Sequence, residues 1–554
     1  MFEKVRFQDP EAQKRLTALL LAPMFLNDRV SNAYVSNAYV TSAHDERPPI
    51  TARGRTERRK PMKRSAQVLW LVVLLGAIAH AQFPSQIQHV VIIFQENRTP
   101  DNLFQGLHGL KGSNGVAYDI RNYWVTSSGT HRLLAPVGMA TNFDLSHSHG
   151  GFVLEATAPS TALVPGCGGT ATAAVFGCAA STWNQFMYVD NAQPLVSSNL
   201  YGQNLTTHIL DPYIAMAKQW GWANFMYQTN QGPSYPAHQF IFGGTSARTK
   251  TEDQQGTFVA ENFSGNSVAG CLANTSAMSF LIDSSGTETP YGGALGDFCF
   301  NHNTMATLLD PPAISWKYYA PGPGSIWTAP NSIAAICQPN PGFTACDGTE
   351  WATKVVFPFS GSYGAVPFLN DLQNCQLPAV SWVIPDGRWS DHASGNKGLG
   401  PSYVAAIVNA IGGFNNTCGY WDNTAIVLTW DDWGGWYDHE AAWKLPPPYN
   451  NYNYGFRVPL IVISAYTTPG LVSKVKPEDF GSILNMVQGI FFGAAKERQL
   501  GFADARSTND LREFFTDTAQ PFGAPIPAVE DINYFLNLPA PKNGVNEPVA
   551  PDND

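Results

Sequence analysis

The sequence has few charged residues and no excess of basic ones. Charged residues make up 14% of its 554 residues, against 44% for hydrophobic ones, and the formal net charge is −10. A protein that binds nucleic acid usually carries a basic patch, so this charge balance argues against a nucleic-acid partner. The high hydrophobic content argues against disorder over most of the chain and predicts a large globular core.

The sequence also lacks the C-x-x-C spacing of cysteines. None of its eight cysteines stands in a C-x-x-C motif, which argues against a thiolate zinc site. All eight lie after residue 81, and an even number of cysteines in an exported chain suggests disulfides. Their short spacing favours the pairs Cys167–Cys178 and Cys337–Cys346.

The apolar run near the N-terminus is short for a membrane-spanning helix, but it fits an export signal. Residues 62–81 begin with Met and a basic pair, continue through apolar residues 68–79 and end in Ala-His-Ala. This order is typical of a secretory signal peptide. We therefore expect a secreted or periplasmic protein, with residues 1–61 an upstream segment from a misplaced start or a leader. A membrane-retained form is the alternative.

Apolar runs typical of buried strands alternate with helical patterns over residues 82–554. Near-continuous runs predict strands that are covered on both faces at 89–94, 313–319, 379–385, 425–430 and 459–464. Residues 212–223 and 400–414 have apolar residues at helical spacing. This alternation predicts a single α/β domain with a mainly parallel central sheet flanked by helices. The loop-rich stretches at about 105–200 and 245–312 are predicted to be insertions over the site.

Acidic and amide residues follow two of the predicted strands. Glu96-Asn97 follow the first strand, and Asp431-Asp432 follow residues 425–430. Ligands of open α/β sheets bind beyond the carboxyl ends of the strands. Adjacent carboxylates at the end of a buried strand repel each other unless a cation offsets them, and oxygen ligands favour a hard divalent ion. For each pair taken alone, an ordinary helix cap or turn is the alternative.

Ser234 stands in a Gly-Pro-Ser turn, within the stretch NQGPSYPAHQFIFGG. We expect its hydroxyl to be exposed at this bend, where a bound divalent cation would lower its pKa and make it a nucleophile. The alternative is a turn serine that caps a neighbouring segment. The G-x-S-x-G and S-x-x-K motifs of acyl-transfer enzymes do not occur at this position.

Six blocks follow one another between about residues 89 and 465. They are QENRTPDNLFQGL, NQGPSYPAHQFIFGGTS, ISWKYYA, LPAVSWVIPDGRWSDHAS, WDNTAIVLTWDDWGGWYDH and GFRVPLIVISAY. In this order they resemble the bacterial phosphoesterase family of phosphatidylcholine-type phospholipases C and acid phosphatases, within the alkaline-phosphatase-like superfamily. The resemblance implies an alkaline-phosphatase-like fold and a hydrolase that acts on phosphoric ester bonds.

The resemblance also implies a metal site with an attached nucleophile. One divalent metal cation of unknown identity would be bound by Glu96, Asn97, Ser234, Asp431 and Asp432. The same serine would attack phosphorus.

Histidines in the blocks and in the stretch FDLSHSHGG (143–151) complete the site that the resemblance implies. His147, His392 and His439 would bind phosphoryl oxygens or protonate the leaving group, and His149 is the alternative to His147. His238 stands where the family often has a basic residue, so it would either contact the phosphate or cap the following strand.

Together these inferences predict a secreted, metal-dependent phosphoesterase of the acid-phosphatase type that acts on a small phosphoester. About 90 residues follow the last block, which favours the phosphatase over phospholipases that carry further C-terminal modules. The alternative is a phospholipase C that cleaves phosphatidylcholine-type lipids, with Trp433 and Trp436 in an aromatic mouth that contacts a membrane transiently. A non-catalytic secreted binding protein is a third reading.

Overall fold

A computed structural model describes residues 82–539, apart from 127, 142, 158–184, 193–195, 265–267, 395–397, 450–451 and 494–497. These residues all belong to one compact unit, 77–554. The predicted upstream segment, the predicted signal peptide and the predicted pair Cys167–Cys178 lie outside the described residues. Within the described part of the chain, no helix is both long enough and apolar enough to cross a membrane.

The strands include the five that the apolar runs predict. They are β1 (His89–Gln95), β2 (Tyr123–Val125), β3 (His131–Leu133), β4 (Ala135–Val137), β5 (Met187–Val189), β6 (Val196–Leu200), β7 (Gln203–Thr207), β8 (Gly221–Ala223), β9 (Phe258–Val259), β10 (Met278–Ile282), β11 (Glu288–Gly292), β12 (Trp316–Tyr319), β13 (Val355–Val356), β14 (Val380–Val383), β15 (Thr424–Trp430), β16 (Leu460–Ser464) and β17 (Val472–Ser473).

Eight strands form the central sheet, in the order β13-β12-β14-β1-β15-β16-β8-β17. All neighbouring strands are parallel except for β16, which runs antiparallel to β15 and β8. β9, β10 and β11 form a smaller sheet within the predicted insertion 245–312, and β2 to β5 form two short ribbons within the insertion 105–200. The predicted α/β fold with a mainly parallel sheet is confirmed.

The helices connect the strands and cover the sheet. They are α1 (Pro100–Leu103), α2 (His149–Thr157), α3 (Asp211–Gln219), α4 (Ser234–Gly243), α5 (Lys250–Gln255), α6 (Met305–Leu309), α7 (Ala334–Cys337), α8 (Thr349–Lys354), α9 (Pro367–Gln373), α10 (Gly400–Ile411), α11 (Phe480–Phe492), α12 (Ala503–Arg506) and α13 (Ile532–Leu536).

Helices cover both faces of the sheet, which explains why its central strands are apolar along their whole length. Phe94 on β1 contacts α11, and Trp382 on β14 donates a hydrogen bond to a carbonyl of α4, which packs against α11. Trp430 pairs with Gln95, so it points to the opposite face from Phe94. There it contacts Tyr213 of α3, which packs against α10.

One predicted helix ends earlier than its periodicity indicates. Residues 212–223 were expected to be helical, but the helix ends at Gln219 and residues 221–223 form β8. Trp222 pairs with Ile461 on one side and with Val472 on the other. The neighbouring strands therefore outweigh the local helical pattern, because they satisfy the backbone of this segment within the sheet.

Three disulfides lie in the described part of the chain. Cys337 and Cys346 are bonded as predicted, and the pairs Cys271–Cys299 and Cys375–Cys418 are additional. The Cys375–Cys418 bond joins the segment after α9 to the loop that leads into β15, so it encloses β14 and α10.

The two disulfides that differ most in loop length offer a stability test. Cys375–Cys418 spans 43 residues and Cys337–Cys346 spans 9. A disulfide lowers the entropy of the unfolded chain, and its removal restores that entropy. Replacing both cysteines by alanine should therefore lower the free energy of unfolding by about 4 kcal/mol for the long loop and about 3 kcal/mol for the short loop. Urea unfolding of the two double variants measures this difference. A larger loss for the short loop would contradict it.

Candidate active site

The register between β1 and β15 brings the two predicted ligand pairs together. Gln95 is opposite Trp430, so the residues that follow the two strands leave the sheet at the same edge. Two backbone hydrogen bonds continue the pairing beyond the strands: Asp431 N–H donates to Gln95 O at 2.9 Å, and Arg98 N–H donates to Asp432 O at 3.0 Å. Glu96-Asn97 and Asp431-Asp432 therefore lie side by side, as their sequence positions predict.

A tight turn after each strand orients these side chains. Asn97 has a φ of 61°, a left-handed conformation that asparagine tolerates better than most residues, and its N–H donates to Asp431 Oδ1 at 2.8 Å. Gly434, with a φ of 62°, donates its N–H to Asp432 Oδ1 at 2.7 Å. A Cβ at Gly434 would lie 2.5 Å from Asn97 O, so only glycine fits there. Each aspartate thus has one oxygen held by the backbone.

Ser234 reaches this cluster from helix α4. Its Oγ lies 3.3 Å from Glu96 Oε2 and 3.4 Å from Asp432 Oδ2. Ser234 is the first residue of the helix after Pro233 and is fully buried, so the prediction of an exposed hydroxyl at a bend is wrong. The reason is tertiary: the helix begins against the sheet edge, and its packing covers its first turn.

The cluster fits a divalent cation by its donor atoms. Asn97 Oδ1 and Asp431 Oδ2 are buried and have no hydrogen-bond partner among the described residues. Oxygen atoms bound at about 2.1–2.5 Å from one ion lie about 3–3.5 Å apart, as the Ser234 Oγ contacts with Glu96 and Asp432 do. Glu96, Ser234 and Asp432 therefore meet at one place, and ligand atoms of Glu96 and Asp431 lie within 4.8 Å of each other. Asn97 and Asp431 each carry a buried oxygen that is still to be satisfied.

The electrostatics of the cluster point the same way. Glu96, Asp431 and Asp432 are completely buried. His238 Nε2 lies 3.0 Å from Glu96 Oε1, but burial lowers the pKa of His238 to about 4, although Asp431 opposes this effect. The imidazole is thus neutral near pH 7 and does not offset the carboxylate charge. A bound cation would do so.

His147 orients the asparagine of the cluster. Its Nδ1 lies 2.7 Å from Leu145 O and must donate there, so Nε2 accepts the hydrogen bond from Asn97 Nδ2 at 2.9 Å. This arrangement fixes the amide and leaves Asn97 Oδ1 as the atom directed away from His147. His147 therefore contacts one of the predicted metal ligands, Asn97.

His392 lies next to His147 and to an aspartate that the sequence motifs did not reveal. The ring centres of His147 and His392 are 5.9 Å apart, and His392 Nε2 is 3.7 Å from Asp144 Oδ2. Ligand atoms of these three residues lie within 4.8 Å of one another. Asp144 stands three residues before His147, in the stretch FDLSHSHGG, and its acidic character was the available signal.

His439 belongs to a separate charged cluster. Its Nδ1 lies 2.7 Å from Asp101 Oδ2 and its Nε2 lies 3.3 Å from Asp119 Oδ1. Arg457 bonds Asp119 and Asp438 in the same cluster. Burial would lower the pKa of His439, but its hydrogen bonds with the two carboxylates raise it to about 9. The predicted role of His439 in the reaction stays a prediction.

His149 bonds two glutamates that are not among the predicted metal ligands. Its Nδ1 pairs with Glu288, and its N–H donates to Glu261 Oε1 at 2.8 Å. The prediction that His149 contacts substrate stays a prediction, as does the phosphate contact considered for His238. His238 does not cap a strand, as the alternative prediction had it. Its ring bonds Glu96 and so helps to hold this predicted metal ligand in place.

Trp433 and Trp436 are fully buried, so the prediction that they form an exposed aromatic mouth is wrong. Trp433 Nε1 donates to Glu155 Oε2 at 2.9 Å, and the Arg98 guanidinium lies 5.0 Å from the ring of Trp436. The positive φ angles of Gly434-Gly435 turn the chain so that both rings face inward. Membrane contact through other residues stays a prediction.

The charged cluster around His439 predicts a pH-dependent stability. Folding raises the pKa of His439 to about 9. The protonated imidazole therefore stabilises the fold fully below about pH 6.5, and this contribution is lost as the pH rises through 9. We expect His439→Gln to lower the free energy of unfolding by about 2–3 kcal/mol at pH 6, and by less above pH 9. Urea unfolding at pH 6, 7.5 and 9.5 tests this.

The matched control is His208→Gln, because His208 is a half-exposed histidine that pairs with Asp211 at 3.2 Å. We expect little change from it at any pH, since exposed ion pairs contribute little. A penalty for His439→Gln that is constant between pH 6 and 9.5 would show that the charge of His439 does not stabilise the fold.

Comparison with known proteins places this geometry in a family. The Phosphoesterase family matches residues 87–492. Phospholipase C A of Mycobacterium tuberculosis is 24% identical over 441 residues, which cover 74% of this chain and 73% of that protein. Phospholipase C B of the same organism is 28% identical over 186 residues, or 30% of this chain. The chain spans only 34% of the length of phospholipase C B.

Two further matches are another phospholipase C and a solved structure. The non-hemolytic phospholipase C of Burkholderia pseudomallei is 27% identical over 236 residues, which cover 35% of this chain and 32% of that protein. A solved structure from the alkaline phosphatase superfamily of Vibrio parahaemolyticus is 13% identical and covers 55% of this chain and 67% of its own, with a TM-score of 0.28. That score is too low to carry an argument. The family match, which covers more than half of the sequence and all five predicted ligands, shows that this chain belongs to the Phosphoesterase family.

Proposed function

We propose that the protein is a metal-dependent phosphoesterase of the acid-phosphatase type, with Ser234 as its nucleophile. The observation that carries this proposal is the position of the Ser234 hydroxyl, between Glu96 and Asp432 and in the same cluster as the unpartnered oxygens of Asn97 and Asp431. A serine that served only as a helix cap would bond a backbone N–H of its own first turn. Ser234 instead contacts two buried carboxylates.

The helix that carries Ser234 supports a role in binding anions. Helix α4 has ten residues, and the positive end of its dipole lies at Ser234. Backbone N–H groups at such an end favour a phosphoryl group or a serine alkoxide. One of them is already used, because Tyr235 N–H donates to Asn262 Oδ1 at 2.9 Å.

The proposed reaction uses the residues of this cluster in two steps. A divalent cation bound by Glu96, Asn97, Ser234, Asp431 and Asp432 would lower the pKa of the Ser234 hydroxyl and offset phosphoryl charge. Ser234 Oγ forms a bond to phosphorus as the bond between phosphorus and the alcohol oxygen breaks.

A histidine then donates a proton to the leaving alcohol oxygen, and in the overall balance this proton equals the one that the Ser234 hydroxyl loses. We assign this role to the Nε2 atom of His392. The Nδ1 atom lies 3.3 Å from Ser394 O, whereas Nε2 lies 3.7 Å from Asp144 Oδ2, and the ring is next to that of His147. His147, which accepts a bond from Asn97, has the task of positioning that ligand. Water next cleaves the phosphoserine, which releases phosphate and restores the Ser234 hydroxyl.

A phospholipase C is the second candidate, and the names of the curated relatives favour it. The same serine would attack the phosphorus of a phosphodiester, with a lipid alcohol as the leaving group. For either activity we propose export by a signal peptide at residues 62–81, and the three disulfides support an oxidising compartment.

Replacing the nucleophile tests the mechanism. We expect Ser234→Ala to reduce kcat for any hydrolysed phosphoester by at least about 1,000-fold, because the covalent step is lost. The control is Ser246→Ala. Ser246 is a buried serine outside the cluster, and its hydroxyl donates to Val259 O with a distance of 2.8 Å between the two oxygens. Circular dichroism checks that both variants fold. Turnover by folded Ser234→Ala at the wild-type rate would remove Ser234 as the nucleophile.

Two chromogenic substrates separate the candidate activities. We expect the mature protein to hydrolyse p-nitrophenyl phosphate, to lose this activity with a chelator and to regain it when a divalent cation is added, because three buried carboxylates need the ion. Preference for p-nitrophenyl phosphorylcholine would instead support the phospholipase C. Hydrolysis of p-nitrophenyl phosphate that survives complete metal removal would contradict the metal-dependent mechanism.

A further inference from the structure

His238 lies on the same side of helix α4 as Ser234, one turn further along. The two residues are four positions apart, a spacing that places their side chains next to each other on one face of the helix. Both reach Glu96: Ser234 Oγ lies 3.3 Å from its Oε2, and His238 Nε2 lies 3.0 Å from its Oε1. His238 is therefore an additional side chain at the cluster of predicted metal ligands.

The position of the imidazole fits a ligand. A ring nitrogen of His238, a carboxylate oxygen of Glu96 and one of Asp431 all lie within 4.8 Å of one another. A nitrogen and an oxygen bound at about 2.1 Å to one ion, at right angles, lie about 3.0 Å apart, as His238 Nε2 and Glu96 Oε1 do. Both residues are fully buried, and an ion that lies among its ligands needs no open surface beside them.

Aromatic side chains hold the ring in this orientation. The ring of Phe94 meets it edge to face, with 4.9 Å between the ring centres, and the ring of Trp327 stacks on it with 6.4 Å between the centres and 20° between the planes. On the side away from Glu96, His238 Nδ1 lies 3.3 Å from the hydroxyl of Tyr318. Each ring nitrogen of His238 thus has one fixed neighbour.

The hydrogen bonds of Tyr318 decide which of these nitrogens carries the proton. The hydroxyl has a single proton, and it donates this proton to Trp327 O at 2.9 Å, a carbonyl oxygen that can only accept. Tyr318 therefore faces His238 Nδ1 with an oxygen lone pair, and their contact is a hydrogen bond only if Nδ1 donates. Because a neutral imidazole has one N–H, its Nε2 is then an acceptor.

This tautomer sets two acceptors against each other, since Nε2 faces the carboxylate oxygen of Glu96 at 3.0 Å. The other tautomer, with a hydrogen bond from Nε2 to Glu96, moves the conflict to the contact between Nδ1 and the Tyr318 oxygen. A cation bound to both Nε2 and Glu96 removes it, because Nδ1 is then free to donate to Tyr318. Histidines that bind a metal almost always donate their other ring N–H in this way.

We propose that His238 is a nitrogen ligand of the candidate metal site, which therefore takes an imidazole-binding transition-metal ion, such as Zn²⁺ or Fe²⁺, in preference to Mg²⁺ or Ca²⁺. Imidazole suits zinc and iron, whereas magnesium and calcium are bound through oxygen atoms. The inference rests on the proposed function for the presence of a metal at this cluster, and it adds a ligand and a metal class. A ring protonated at both nitrogens would satisfy the same contacts without a metal, and the experiment separates the two.

Metal affinity and selectivity test the assignment. We expect metal-free wild-type protein to bind Zn²⁺ more tightly than Ca²⁺, and we expect His238→Gln to weaken Zn²⁺ binding by about 100-fold but Ca²⁺ binding by less than about 3-fold. A histidine that only supported Glu96 would change both affinities by the same factor. Calorimetric titration with each ion, against a competing chelator for Zn²⁺, measures these affinities without reference to catalysis.

X-ray absorption spectroscopy identifies the ligand atom directly. We expect the Zn²⁺-loaded wild-type protein to show the multiple scattering of an imidazole ring and His238→Gln to lose it. Tyr318→Phe removes the acceptor of the Nδ1 proton and should weaken Zn²⁺ binding by about 10-fold. The matched control is His89→Gln, at the opposite end of β1 from Glu96, where Nδ1 lies 2.8 Å from Pro378 O. It should keep both the affinity and the scattering signal, and circular dichroism checks that each variant folds.

The other outcomes overturn either this inference or the proposed function. Zn²⁺ affinity that is unchanged in folded His238→Gln overturns the inference, and so does a higher affinity, which would show that a doubly protonated ring repels the ion. Equal losses for Zn²⁺ and Ca²⁺ overturn it in favour of a histidine that only supports Glu96. Chelator-sensitive hydrolysis without an imidazole signal overturns it and leaves the proposed function standing. Zn²⁺ bound through His238 in a protein that hydrolyses no phosphoester does the reverse.

Discussion

The parallel register between β1 and β15 is the constraint on which the rest of the site depends. It ends two buried strands at the same level, so that Glu96-Asn97 and Asp431-Asp432 leave the sheet together. Three carboxylates then share one buried place, which is stable only with a cation or protons to offset them. The turn at Gly434 and the start of helix α4 at Ser234 supply the remaining geometry.

Two buried arginines hold the loops around this edge of the sheet. Arg98 donates to Asp391 O at 2.8 Å and to Met139 O at 3.0 Å, so it ties the segments that lead to His392 and His147 back to the end of β1. Arg457 joins the Asp438–His439 turn to Asp119. The site is thus built on loops, but buried charge-assisted hydrogen bonds make those loops part of the core.

Much of the fold and of the candidate site follows from local patterns. The apolar runs at 89–94 and 425–430 predicted buried strands, and the acids and amide after them predicted an oxygen-rich site, because residues just beyond parallel strands meet at one edge. β8 was missed, since its pairing partners are more than 200 residues away in the chain. Asp144 was missed because its proximity to His392 arises from two distant loops.

The sequence by itself determined the α/β class and the Cys337–Cys346 bond, because each depends on patterns or spacings within short segments. The five residues proposed for the metal site follow from such segments only together with the resemblance to a known family. Only the tertiary structure decided that Ser234 is buried at a helix start, that Trp433 and Trp436 face inward, and that His439 belongs to a separate charged cluster. These features depend on which distant segments pack together, and side-chain burial and pKa values are properties of that packing.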